Sequence, residues 1–119
     1  DTGHIQLVHR QPADYIRTAG SRLKLLHMHE NDAYGDLHQM PYTFGSSKEC
    51  GTDWDSLAAA LADIGFDGTL SFETFPCMNS FPYGTRDEVL RTIHEVGVYI
   101  KGEIDVLSEQ FVQNSVKNK

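Results

Sequence analysis

The residues best suited to chemistry in this chain are histidines and carboxylates, and they fall in three places. "DTGH" sets Asp1 and His4 three apart, and "LLHMHENDAYGDLH" gathers His27, His29 and His38 with Glu30, Asp32 and Asp36. "TLSFE" ends on Glu73. Imidazole and carboxylate together make a mixed nitrogen and oxygen donor set. Such a set suits Mn²⁺, Zn²⁺, Co²⁺ or Fe²⁺ better than Ca²⁺, and it lacks the thiolates of a structural zinc site. A lone histidine at a strand end is ordinarily just a polar residue. The argument rests on Asp1, His4, His27 and Glu73 jointly. His9, His29 and His94 read as ordinary residues, and Glu30 and Asp32 as loop structure. Asp36 and His38 divide between ordering the loop and touching a ligand. Phe75 and Phe81 read as loop packing ahead of lining a pocket, Met28 as core or pocket wall, and Trp54 as helix packing.

The elements around these residues set how they are positioned. "QPADYIRTAG" carries Pro12 where a first helical turn tolerates it and Gly20 where a helix stops. "RLKLLH" has the length of a short strand, with Leu25 and His27 on one face. A long polar loop follows from about His29 to Gly51. "TDWDSLAAALADIG" opens on the capping residues Thr52 and Asp53 and spaces Trp54, Leu57, Leu61 and Ile64 at helical intervals before Gly65. "GTLSFE" predicts a second strand. Thr85 and Glu88 have capping-box spacing, and Val89, Ile93, Val96, Ile100, Ile104, Leu107 and Phe111 form one apolar stripe behind them. Such a helix would run ~39 Å over ~26 residues. Strands alternating with helices predict a parallel sheet with long polar loops at the strand C-termini, where α/β folds place their chemistry.

Composition narrows the partners. The chain has 119 residues, 39% hydrophobic and 23% charged, with a formal net charge of −7, in the range of one ordinary globular domain or a piece of one. That charge opposes nucleic-acid phosphates, and no Lys/Arg cluster offsets it. No apolar run approaches the ~20 residues a membrane span requires, and no leader-like start is seen. Cytoplasmic residence is therefore expected, with Cys50 and Cys77 as reduced thiols.

"DTGH", then "HMHEND" followed by "GDLH", then "GTDWDSLAAALADIGFDGTLSFE" resemble the second half of the xylose isomerase-like TIM barrels. That superfamily contains sugar-phosphate isomerases and epimerases, ketose 3-epimerases and endonuclease IV-type apurinic endonucleases. The likeness covers about residues 1–75. It implies Asp1, His27 and Glu73 as ligands of a divalent metal (Mn, Zn, Co or Mg), with Glu73 also moving a proton. It implies His4, Asp36 and His38 as substrate contacts, or as further metal ligands in the endonucleases. Glu30 stands where an aspartate often follows the ligand histidine.

The sequence also departs from that pattern. A first ligand glutamate and two zinc-binding histidines would lie upstream of Asp1, and the usual Pro-Gly-x-Gly loop is replaced by "MPYTFGSSKECG". The fold implied is the C-terminal part of a (β/α)8 barrel, about strands 6/7–8 with their helices: a single partial domain over 1–119. Its open sheet edges would favour self-association or pairing with a missing N-terminal half. The activity implied is metal-dependent isomerisation or epimerisation of a sugar or sugar phosphate, the isolated chain being inactive. The alternatives are an apurinic endonuclease or a non-catalytic barrel relative.

Overall fold

A computed structural model describes residues 1–45 and 51–117; Cys50 lies outside the described residues. Helix α1 (Thr2–Leu7) starts the chain, capped by Asp1, whose carboxylate accepts from the His4 amide. Helix α2 (Pro12–Ala19) begins at Pro12 and stops at Gly20, whose φ of 55° only glycine adopts without strain. After a short 3₁₀ turn comes strand β1 (Leu25–Met28). Helix α3 (Trp54–Asp63) follows the long loop, and Asp53 accepts from the Ser56 amide at its start. Strand β2 (Thr69–Phe72), the short helix α4 (Phe75–Asn79) and the long helix α5 (Arg86–Lys117) complete the chain.

The two strands pair in parallel, Leu25 with Thr69 through Met28 with Phe72. Alternation along β1 turns Leu26 and Met28 into the core and leaves Leu25 and His27 on the other face. α3 contributes Trp54, Leu57, Ala58, Ala60, Leu61 and Ala62 to that core, packed with Ile16 of α2 and with Ile100 and Ile104 of α5. Leu57 and Leu61 are wholly buried, each stabilising the fold by about 1.5–3 kcal/mol. α5 passes so close to β2 that a Cβ on Gly97 would stand 3.0 Å from the Phe72 ring.

Two sequence expectations for α5 need correction. The capping box does not form: the Thr85 hydroxyl donates to the Pro82 carbonyl, and Glu88 pairs with Arg91. The helix is also longer than expected, at 32 residues. Its stripe is buried at Ile93, Ile100 and Ile104, but Phe111, Val112 and Val116 emerge into solvent. No helix among the described residues is long and apolar enough to cross a membrane. Cys77 is a buried free thiol.

The expected C-terminal part of a (β/α)8 barrel is not what the chain forms. The described residues make a largely helical body around a sheet of only two four-residue strands. "DTGH" is the start of a helix, not the end of a strand, because Asp1 spends its carboxylate on the helix cap. The polar segment after β1 forms no β/α unit. It is a loop closed by an isolated antiparallel bridge between Glu30 and Gln39. A barrel needs successive parallel strands closing on each other, and one β–α–β passage does not supply them.

Candidate metal centre

β1, the N-terminus of α1 and the residue after β2 bring Asp1, His27 and Glu73 together. One potential ligand atom from each lies within 4.8 Å of the others. His27 Nδ1 is 3.3 Å from Glu73 Oε1 and 4.0 Å from Asp1 Oδ2. Donors about 2.0–2.2 Å from a common cation stand roughly 3–3.5 Å apart, so the three side chains need little movement to share one. The main-chain frame is fixed, since the Glu73 amide donates to the Met28 carbonyl and continues the β1–β2 ladder. All three side chains are partly exposed, which leaves a ligand an open approach.

The Asp1 carboxylate serves structure and site together. Oδ1 accepts from the His4 amide at 2.9 Å and lies 2.9 Å from His29 Nε2. Oδ2 is 3.2 Å from His29 Nε2 and from His4 Nδ1 and 4.0 Å from His27 Nδ1.

A second group joins this one through His4. His4, His29, Asp36 and His38 also bring ligand atoms within 4.8 Å. Asp36 Oδ1 is 3.1 Å from His38 Nε2 and 3.3 Å from His4 Nε2. His38 Nδ1 sits 3.0 Å from the Glu73 carbonyl, so that nitrogen carries the proton and Nε2 presents its lone pair. A ligating histidine is usually backed in just this way. Burial works against ionisation of Asp36, but the neighbouring His38 and His4, with hydrogen bonds from His4 and Asn31, hold its carboxyl below the usual range.

The residues expected as ligands and substrate contacts (Asp1, His4, His27, Asp36, His38 and Glu73) therefore lie in one cleft. His29, read from the sequence as ordinary, and Asn31, which the sequence did not single out, prove central to it. His29 is fully buried, stacks on His38 with centroids 3.8 Å apart and planes 5° from parallel, and faces Asp1. Burial pushes its pKa down to about 4, assisted by His38 and His4 and opposed by Asp36 and Glu73. Asn31 is also fully buried. Its Oδ1 accepts from the amides of Leu37 (2.6 Å) and His38 (3.0 Å), and this shapes the turn that presents Asp36 and His38. Asparagine's habit of hydrogen-bonding nearby backbone was the one signal for it in the sequence.

Glu30 is a loop organiser, as expected. Its buried carboxylate accepts from the amides of Thr52 (2.9 Å) and Phe44 (3.2 Å) and from the Trp54 indole (3.1 Å). Burial raises its pKa against those hydrogen bonds. Phe75 is exposed, with its ring 5.6 Å from that of His38. Among the described residues, no Lys or Arg takes part in the contacts that link these site side chains. A groove of about 550 Å³ lies elsewhere, between β2 and α5, lined by Phe66, Leu70, Phe72, Gly97, Val98 and Ile104 among others. Asp67, His94 and Asp105 border it too, but among the described residues they do not converge as a donor set.

No family model matches the chain, and no solved structure does. Among curated proteins it is similar to "Uncharacterized protein y4fM" of Sinorhizobium fredii, at 30% identity over 74 residues. That match takes in 62% of this chain and 22% of the relative, so the chain spans about a fifth of that protein's length.

Proposed function

We propose that the protein belongs to a divalent-metal-dependent isomerase or epimerase acting on a sugar or sugar phosphate, with Asp1, His27 and Glu73 holding the cation. One observation carries this reading: three ligand-type side chains converge from three separate elements within 4.8 Å. The donor set fits Mn²⁺, Zn²⁺, Co²⁺ or Mg²⁺. A cation there supplies Lewis-acid stabilisation of the negative charge that develops when a proton leaves the carbon beside a carbonyl. Glu73 has the means to move that proton. One of its oxygens faces His27 and the other lies on the His38 side, 3.9 Å from Nδ1, so ligation by one leaves the second as a base. His4, bridging Asp1 and Asp36, orients a substrate hydroxyl. The opposing carboxylate of such a reaction is assigned to a part of the protein other than these residues. The same reading gives the molecule a cytoplasmic residence and a small-molecule substrate, and has its open sheet edges covered by self-association or by other parts of a longer protein.

The test is calorimetric titration with Mn²⁺, Co²⁺ and Zn²⁺, followed, in a longer version that supplies the opposing carboxylate, by a panel of ketoses and ketose phosphates in deuterated water. Saturable uptake of one cation by the wild type, weakened at least tenfold in Glu73→Gln, is expected, with deuterium entering the carbon next to the carbonyl. A wild type that takes up none of the three metals sinks the proposal.

A second reading, metal-assisted phosphodiester cleavage of the apurinic-endonuclease kind, is favoured by the His4–Asp36–His38 group, which has the make-up of a second cation site. The net charge of −7 weighs against a DNA substrate. Cleavage of an abasic duplex, with no exchange in the ketose panel, would replace the first reading by this one.

A further inference from the structure

His29 carries two imidazole nitrogens into a fully buried position, and their surroundings differ. Nε2 faces both oxygens of the Asp1 carboxylate, 2.9 Å from Oδ1 and 3.2 Å from Oδ2. Nδ1 has no hydrogen-bond partner among the described residues. The space in front of it is filled by α1: a Cβ on Gly3 would stand 2.3 Å from Nδ1 and 2.2 Å from Cε1. The main chain of His29 is pinned on the same side, where its carbonyl accepts from the Thr2 hydroxyl at 2.7 Å and its amide donates back to that oxygen at 3.1 Å. Gly3 and the pinned main chain leave the ring little room to turn.

The neutral ring has one proton to place. On Nδ1 it would be a buried donor pressed against a helix backbone with no acceptor, which costs stability. On Nε2 it donates to a carboxylate, and Nδ1 keeps only a lone pair. A histidine that binds a cation through one nitrogen normally gives the proton on the other to a carbonyl, carboxylate or water. His38 has that arrangement, through the Glu73 carbonyl. His29 also gives its proton to a carboxylate, but its free Nδ1 faces the backbone of α1 at Gly3, where no cation fits.

We propose that His29 is not a ligand but a positioning residue: a fixed Nε2–H donor that holds the Asp1 carboxylate and so sets the orientation in which it faces His27. The inference rests on the assignment of Asp1, His27 and Glu73 as the metal centre. It adds the group that sets the orientation of one ligand, and it makes Gly3 the residue that admits the ring. The stack on His38 then ties the donor of the first site to a member of the second group.

Nitrogen-15 NMR of the metal-free protein reads the tautomer directly. A protonated Nε2 with a bare Nδ1 at His29 is expected; a protonated Nδ1 overturns the proposal without touching the metal reading. In calorimetric titration with Mn²⁺ or Co²⁺, His29→Phe should lose about 10–100-fold in affinity. His29→Gln, whose amide nitrogen reaches the Nε2 position, should recover most of it. His29→Asn should not, because its amide falls short of Asp1. Gly3→Ala, which leaves every donor in place and pushes the ring aside, should weaken binding as His29→Phe does. Folded His29→Phe with wild-type affinity overturns the inference. A wild type that binds neither cation sinks the metal reading instead, and the tautomer still decides whether His29 donates to Asp1.

Discussion

At the scale of single residues, the site depends on which atoms are already committed. Asp1 caps a helix through Oδ1, and both its oxygens face the buried His29 imidazole, with Oδ2 also toward His27. Glu73 keeps both side-chain oxygens near imidazoles while its carbonyl holds His38. The lowered His29 pKa has a consequence for stability. Unfolded, the ring gains its proton near its ordinary value of 6.5; folded, it does so only at about 4. Between those values the unfolded chain binds more protons, so stability is fully present above about pH 6.5 and falls as pH drops toward 4. The loss is on the order of 3 kcal/mol. Glu30, with its raised pKa, contributes the opposite slope just above its unfolded value. The comparison is therefore made between wild type and His29→Gln, by urea unfolding from pH 7 to pH 4. The variant should show a flatter profile over that window.

These residues also mark how far the sequence could be read. Asp1, His4, His27, Asp36, His38 and Glu73 were legible by type and by position beside predicted elements, and they do gather in one cleft. His29 and Asn31 were not, because their importance comes from burial and from partners 28 residues away or across a turn. Alternation along a four-residue strand says nothing about what lies beyond its end.

At the scale of elements, the helix limits of α2 and α3 follow from Pro12, Gly20, Asp53 and Gly65, and local chemistry was enough to place them. The start of α5 did not follow, since Thr85 is drawn into a 3₁₀ turn by Pro82. Its burial pattern leads to a graded prediction. Ile100→Ala, in the packed middle of α5, should cost about 2–5 kcal/mol in thermal or urea unfolding. Val112→Ala, at an exposed position, should stay within about 0.5 kcal/mol. Between β1 and α3, Asn31→Ala strands the amides of Leu37 and His38. It should cost about 1–3 kcal/mol and loosen Asp36 and His38. Metal binding at Asp1, His27 and Glu73 should survive it, as calorimetry would show.

At the scale of the molecule, the alternation of strand-like and helix-like segments suggested more sheet than exists. Two short parallel strands, each with an open edge, carry a helical shell, and the long loop is organised by Glu30 instead of by a further β/α repeat. Parallel pairing with so little sheet leaves backbone donors and acceptors unpaired along β1 and β2. The β2 edge borders the apolar groove against α5. If those surfaces are covered by self-association, sedimentation equilibrium should show a weight-average mass that rises with concentration. Val98→Lys, which places a charge in that groove, should return it toward the 13.4 kDa of one chain.

The cap at the start of α1 has a dynamic consequence. The oxygen that closes the first turn of the helix belongs to the carboxylate proposed to hold the cation. Fraying of that turn and opening of the centre are then one event. Occupancy by Mg²⁺ or Zn²⁺ should slow hydrogen–deuterium exchange at the His4 amide, which Asp1 caps, far more than at the amides of α2. A helix of six residues would then report whether the site is filled.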